Sequence, residues 1–195
     1  MSSGPEVPGV VHDRITTNGI TLHVAQVGPV DGDLVVLLHG FPEFWWGWRH
    51  QIPALAQAGF RVLAPDQRGY NFSDKPLGRT SYRISTLAHD VLGLIDAMGR
   101  QRAAIVGHDW GGAVAWWLAT YHPERVERVA VLNCPHPIVF PRVLTRTPAQ
   151  ILRSWYMFFF QLPGCPSGRP RARATPSWHA PWARPPGKEP SPTMT

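Results

Sequence analysis

The sequence contains only two cysteines, Cys134 and Cys165, among its 195 residues. Two cysteines cannot build a disulfide framework, and these two are not spaced as metal ligands, so neither a metal nor another cofactor is expected. No apolar run approaches the roughly 20 residues that cross a bilayer, and the first thirty residues lack the layout of a signal peptide. We therefore expect a cytoplasmic chain that makes no use of a membrane.

Charge is also scarce, at 16% of residues, whereas apolar residues make up 44%. This balance excludes a fully disordered chain and a coiled coil. The net charge of +6 is concentrated in residues 163–195, which carry five basic side chains and one acidic one. The other residues carry 14 basic and 12 acidic side chains, a net +2. Such a balance is ordinary for a globular domain, so a nucleic-acid partner is not expected.

Residues 163–195 differ from the rest in composition as well. Nine of these 33 residues are proline, and no Leu, Ile, Val or Phe occurs after Leu162. Because the segment has almost nothing to bury, it is predicted to be disordered, as are residues 1–12. Either it is a natural basic linker, or it results from translation out of frame in a GC-rich gene. The abrupt change near residue 162 favours the second interpretation.

Between these ends, strands alternate with helices. Asn18-Gly19 predicts a tight turn joining two strands over residues 15–25. Further strands are predicted at 34–38, 60–64, 103–106 and 129–132, with helices at 52–58, 85–98 and 111–121. Ser85 is predicted to cap the second helix. Alternating strands and helices indicate an α/β fold with a mostly parallel sheet over residues 13–138.

The most informative segment is AIVGHDWGGA, over residues 104–113. A buried strand enters a sharp turn, with Gly107 and Gly111 two residues on either side of Asp109. Asp109 is either the N-cap of the next helix or a nucleophile held in a strained turn. A second segment, His39 to Pro42, follows the first buried strand, where hydrolases of this fold place a backbone donor for an oxyanion. This placement favours the nucleophile.

An aspartate at this position limits the reaction. Attack by a carboxylate on an ester would give an anhydride, whereas attack on a saturated carbon gives an alkyl ester. The substrate is therefore expected to be a small epoxide or alkyl halide. Hydrolysis of the resulting ester needs a water activated by histidine and donors that stabilise the oxyanion.

The segments HGFPEFWWGW, PDQRGYNFSDKP and GHDWGGAVAW resemble the epoxide hydrolase branch of the α/β-hydrolase superfamily. The resemblance covers about residues 13–162 and implies the N-terminal part of that fold, with a helical cap beginning at 139–162. It implies Asp109 as nucleophile, backbone donors at Phe41 and Trp110, and a cis bond before Pro42. Tyr156 resembles a cap tyrosine that protonates the oxirane oxygen, although packing explains an aromatic there equally well. His39, Pro42, His108 and His136 are expected to be substrate-binding residues, with His108 and His136 lining or bracing the pocket.

Haloalkane dehalogenases are the closest alternative, because they share the Asp-Trp pair. The chain also lacks recognisable partners for Asp109. No aspartate follows it, and the later histidines are His122, His136 and His179. His122 and His136 resemble structural positions, and His179 lies in the predicted disordered segment. We therefore expect an incomplete hydrolase, truncated or frameshifted after about residue 162, that is alkylated once without turnover. A non-catalytic fragment is the other possibility.

Overall fold

The computed structural model describes residues 7–140, 142, 152 and 155. The chain divides into two compact units, residues 1–136 and 137–195. All the helices and strands given below belong to the first unit. In the second, residues 139 and 140 are helical. Most of the predicted cap segment and all of residues 163–195 lie outside the described residues, so the predictions made for them stay predictions.

The described residues of the first unit form six strands and three helices, which alternate from the third strand onward. The strands are β1 (Val11–Thr17), β2 (Ile20–Val27), β3 (Leu34–Leu38), β4 (Arg61–Pro65), β5 (Ala103–His108) and β6 (Val126–Leu132). The helices are α1 (Gln51–Gln57), α2 (Ile84–Ala97) and α3 (Trp110–Tyr121). Short 3-10 turns lie at Trp45–Trp48, Arg79–Tyr82 and Pro123–Arg125.

The strands form one sheet in the order β1-β2-β4-β3-β5-β6. β1 and β2 form an antiparallel hairpin, and β2 also pairs antiparallel with β4. The pairs β3–β4, β3–β5 and β5–β6 are parallel. This mixed sheet, parallel where strands alternate with helices, confirms the predicted α/β class. The carboxyl ends of β3, β4 and β5 therefore meet at one edge, where ligands bind in such sheets.

Local sequence explains the hairpin and the central strand. Asn18 and Gly19 have positive φ values of 47° and 73°, as the two-residue turn requires. Thr17 then pairs with Ile20 across the turn. All five residues of β3 are buried, as expected for a continuous apolar strand covered on both faces.

Three sequence predictions need correction at their boundaries. β1 begins at Val11, two residues before the predicted start of the core at residue 13. Ser85 does not cap α2, because the N-cap is Arg83, with extended backbone, and Ser85 lies inside the first turn. β6 begins at Val126, three residues earlier than predicted, since polar Glu127 and Arg128 interrupted the apolar pattern.

A buried carboxylate organises the loop after β4. Asp66 is fully buried and accepts hydrogen bonds from the backbone N–H of Trp45 (3.0 Å), from His23 Nδ1 (2.7 Å) and from Asn71 Nδ2 (2.8 Å). Asn71 has a positive φ of 38°, a backbone conformation that favours glycine. The carboxylate thus joins the hairpin, this loop and the segment that follows β3.

Candidate active site

Asp109 occupies the turn between β5 and α3. Its backbone has φ 50° and ψ −115°, outside the conformations that residues with a side chain usually adopt. It is the N-cap residue of α3, yet its side chain makes no capping hydrogen bond to the helix. The alternative in which Asp109 serves as a helix cap is therefore not supported, because the carboxylate points elsewhere.

Glycine is required around this turn. A Cβ on Gly107 would overlap the backbone of Gly111, and a Cβ on Gly111 would overlap the backbone of Leu38 at the end of β3. A Cβ on Gly112 would lie 2.6 Å from Cβ of Cys134. Neighbours without side chains let β3, β5 and α3 approach closely at this turn.

The loop after β3 supplies the hydrogen-bond partner of Asp109. The backbone N–H of Phe41 donates to Asp109 Oδ1 at 3.0 Å. Gly40 allows this contact, since a Cβ there would lie 2.7 Å from Cβ of Asp109. The peptide bond between Phe41 and Pro42 is cis, as the resemblance implied. One carboxylate oxygen is thus held by a backbone donor.

His108 braces this loop. Its Nδ1 lies 3.2 Å from Glu43 Oε2, and the same carboxylate oxygen accepts the N–H of Gly40 at 3.3 Å. On the other side of the ring, Nε2 lies 3.2 Å from Asn133 Nδ2. Because the amide donates to Nε2, the ring proton resides on Nδ1 and is donated to Glu43. Both nitrogens of His108 are therefore occupied.

His39 supports the loop that follows β3. It is fully buried, and a role for it in substrate binding stays a prediction. Its Nε2 accepts the N–H of Gln67 at 2.9 Å, and its Nδ1 lies 2.8 Å from the carbonyl oxygen of Gly40. Burial lowers the pKa of His39, because the charged ring would lose its hydration.

The negative charge of Asp109 contributes to the pKa shifts of two further groups. Burial raises the pKa of the Tyr70 phenol to about 12, and the negative charge of Asp109 adds to the shift. Burial likewise raises the pKa of the Cys134 thiol to about 11, again with a contribution from Asp109. Both groups are therefore protonated at neutral pH, and Cys134 is a poor nucleophile.

The remaining predicted site residues lie near this turn or outside the described residues. Trp110 begins α3, and 38% of its surface is exposed. Pro42 is exposed beside Phe41. His136 packs edge-on against Trp116, with ring centroids 4.7 Å apart. Tyr156 lies outside the described residues, so its role as a proton donor stays a prediction.

Sequence analysis did not single out Glu43, Asn133 or Tyr70. Glu43 lies within the HGFPEFWWGW segment, and Tyr70 within PDQRGYNFSDKP, so both were in view without an assigned contact. Asn133 directly follows β6. The rule that carboxyl ends of neighbouring parallel strands share one edge could have placed it near His108.

The structure adds two observations on cofactors and membranes. In the part of the chain that the structure describes, no group of three or more His, Cys, Asp or Glu side chains is arranged to hold a metal ion. Over the same residues, every helix is too short or too polar to span a bilayer.

This fold and this turn define a class of protein. The model of the alpha/beta hydrolase fold family matches residues 33–186. The chain therefore belongs to the α/β-hydrolase family. The matched region runs past residue 162, which is further than the resemblance had suggested.

Several relatives with known names support a closer grouping. The chain is 56% identical over 158 residues to the AB hydrolase superfamily protein YfhM of Bacillus subtilis, covering 81% of this chain and 55% of that protein. It is 46% identical over 156 residues to epoxide hydrolase A of Mycobacterium tuberculosis, covering 77% and 47%. The chain thus spans about half the length of these curated relatives.

Solved structures give the same grouping. Epoxide hydrolase A from Mycobacterium thermoresistibile superimposes with a TM-score of 0.68 at 42% identity, covering 80% of this chain and 50% of that one. Epoxide hydrolase VrEH1 from Vigna radiata superimposes with a TM-score of 0.63 at 42% identity, covering 65% and 41%. The chain is therefore an epoxide hydrolase-like member of the α/β-hydrolase family.

Proposed function

We propose that this chain opens an epoxide ring through nucleophilic attack by Asp109. The observation that carries the proposal is the position of the Asp109 carboxylate. It stands on a strained turn, does not cap α3, and has Oδ1 held by the N–H of Phe41. The second oxygen, Oδ2, is then the attacking atom. The printed names of the relatives, several of which are epoxide hydrolases, support the same substrate class.

The first chemical step forms an ester. Oδ2 bonds to a ring carbon, and the bond between that carbon and the ring oxygen breaks. The oxygen leaves as an alkoxide that takes up a proton, for which Tyr156 is the predicted donor. The N–H groups of Phe41 and Trp110 are the predicted donors to the oxyanion that forms when water later attacks the ester carbonyl. That attack releases a diol and restores the carboxylate.

The second step needs a general base, and two described histidines, His108 and His136, are engaged in other contacts. Both nitrogens of His108 are engaged, by Glu43 and by Asn133. His136 packs on Trp116. We therefore propose that the ester forms faster than it is hydrolysed, so that the chain is alkylated once and accumulates as a covalent adduct.

Mass spectrometry of the intact chain after incubation with styrene oxide tests this proposal. We expect one adduct per chain, located on the peptide that contains Asp109. Asp109→Asn should form none, whereas Glu127→Gln, which changes an exposed carboxylate on β6, should react like the unchanged chain. Absence of an adduct would contradict the nucleophilic role of Asp109. Diol produced over many turnovers would contradict only the proposal that the chain lacks a general base.

Attack on an alkyl halide is the second candidate, and the exposed indole of Trp110 is the observation that favours it. Trp110 directly follows Asp109, and its N–H group could hold a leaving halide. Incubation with a bromoalkane should then release one equivalent of bromide per chain. Bromide release faster than epoxide adduct formation would favour this candidate.

A further inference from the structure

Two histidines of the hairpin lie in direct contact, away from the Asp109 turn. His12 Nδ1 is 3.0 Å from His23 Nε2, and the two rings are nearly parallel, with an interplanar angle of 11°. His23 Nδ1 is in turn 2.7 Å from the buried carboxylate of Asp66. Strands β4 and β3 separate β2 from β5 in the sheet, so this cluster is distinct from the candidate active site.

We propose that His12 and His23 form a binding site for a divalent transition-metal ion of the Ni²⁺ or Cu²⁺ type, with water completing the coordination. Imidazole nitrogen is a preferred ligand of these ions. Two nitrogens bound at right angles, each about 2.0–2.1 Å from one ion, lie about 2.9 Å apart. The observed separation of 3.0 Å matches this requirement with little movement of the backbone.

The Asp66 carboxylate prepares His23 to act as a ligand. An ionised carboxylate only accepts hydrogen bonds, so the proton of neutral His23 resides on Nδ1 and Nε2 presents its lone pair outward. A carboxylate behind a metal-bound histidine is the usual arrangement in protein metal sites. In the metal-free chain, Nε2 of His23 accepts a hydrogen bond from Nδ1–H of His12. Metal binding replaces this bond, and the proton of His12 moves to its Nε2 through solvent.

Space and charge at the pair are compatible with a cation. His12 is exposed and packs edge-on against Trp45, with ring centroids 4.8 Å apart, so an ion and its water ligands can reach the pair from solvent. Arg14 lies opposite His23 in the hairpin, but it is directed toward Asp74 (3.8 Å) and the carbonyl oxygen of Phe72 (3.1 Å). Two carboxylates, Asp66 and Asp74, lie near the pair together with one arginine. The local charge therefore does not oppose a divalent ion.

Thermal unfolding of the untagged, full-length chain with NiCl2 tests the site. Free Ni²⁺ at a hundred times its Kd should raise Tm by about 5 °C. His12→Gln should weaken nickel binding at least tenfold, which reduces the shift to about half or less. The matched control is His89→Gln, from a second histidine pair in which the rings of His89 and His122 lie edge to face, 5.6 Å apart. This control should keep the full shift.

Electron paramagnetic resonance of the copper-loaded chain gives an independent measurement. We expect one tightly bound Cu²⁺ per chain with couplings from two nitrogens, and from fewer in His12→Gln. An unchanged Tm with nickel would overturn the proposal. It would also be overturned by an undiminished shift in His12→Gln or by loss of the shift in His89→Gln. In those cases the two rings share a hydrogen bond only, or metal binds elsewhere.

Discussion

Two aspartates directly follow β4 and β5, the strands that flank β3 in the parallel part of the sheet, and they have opposite surroundings. Asp66, after β4, is fully buried and accepts from a backbone N–H, an imidazole and an amide. Asp109, after β5, is half-buried, and Phe41 donates to only one of its oxygens. Asp109 also has a positive φ, whereas Asp66 does not. Both residues are aspartates that directly follow a strand. Their different surroundings therefore come from their hydrogen-bond donors and their backbone conformation.

The comparison shows how the same side chain becomes structural or reactive. A carboxylate whose two oxygens both accept hydrogen bonds in the protein interior stabilises the fold and is shielded from any carbon atom that it could attack. A carboxylate with one oxygen held and the other uncommitted is oriented but remains nucleophilic. Strained backbone at functional residues is commonly maintained by the surrounding structure, here by the close contact of β3, β5 and α3.

Removing the charge of each aspartate should separate the two roles most clearly. Asp66→Asn should lower the free energy of unfolding by about 3–5 kcal/mol, because an amide group would face the donors of His23 and Asn71. Asp109→Asn should change it by less than about 0.5 kcal/mol, since the amide oxygen can still accept from Phe41. Urea unfolding of both variants measures this. Equal losses would contradict the distinction.

The backbone around Asp109 should be nearly as sensitive as the side chain of Asp66. Gly111→Ala should lower the free energy of unfolding by about 2–3 kcal/mol, because its Cβ would overlap the rigid backbone of Leu38. Gly47→Ala is the control, since its Cβ would meet the nearest atom, of Glu43, at an ordinary 3.4 Å. Denaturant melts of both variants provide the measurement. A control as unstable as Gly111→Ala would contradict the steric explanation.

Much of the fold could be predicted from the sequence, because local signals agreed with the tertiary structure. The Asn18-Gly19 pair specifies a tight turn, and the apolar run of β3 specifies a buried strand. Errors fell where local and tertiary signals differ. Ser85 is a good capping residue, but extended backbone at Arg83 starts α2 earlier. Glu127 and Arg128 hid the start of β6, because both side chains are exposed.

The candidate site was predicted less completely. Asp109 and its glycines were recognisable, since the turn constrains sequence within five residues. His39 was assigned to the substrate site, but its burial depends on Gln67, from a loop far along the chain. The bonds of His108 to Glu43 and Asn133 likewise join three distant segments. Such contacts depend on strand order, which motif spacing does not contain.

His39 lies between the two aspartate loops and links their stability to pH. Burial lowers its folded-state pKa below the usual 6.5, so the unfolded chain takes up the proton first as pH falls. The stabilisation is therefore complete above about pH 6.5 and is lost below it, by up to about 1.4 kcal/mol per pH unit. Unfolding measured between pH 7.5 and pH 5 at about half-unit steps should show this decline. His39→Gln should show a shallower one, and an unchanged slope would contradict the assignment.

The smallest expected difference in stability is between two variants of Asn71. This residue donates a hydrogen bond to Asp66, although its φ of 38° favours glycine. Asn71→Gly loses the amide donor but relieves the backbone, so we expect a loss of about 1 kcal/mol. Asn71→Ala loses the same donor and keeps the strain, so we expect about 2 kcal/mol. Urea midpoints of the two variants measure the difference. If alanine proves as stable as glycine, the backbone contributes nothing at this position, and Asp66 is held by its hydrogen bonds alone.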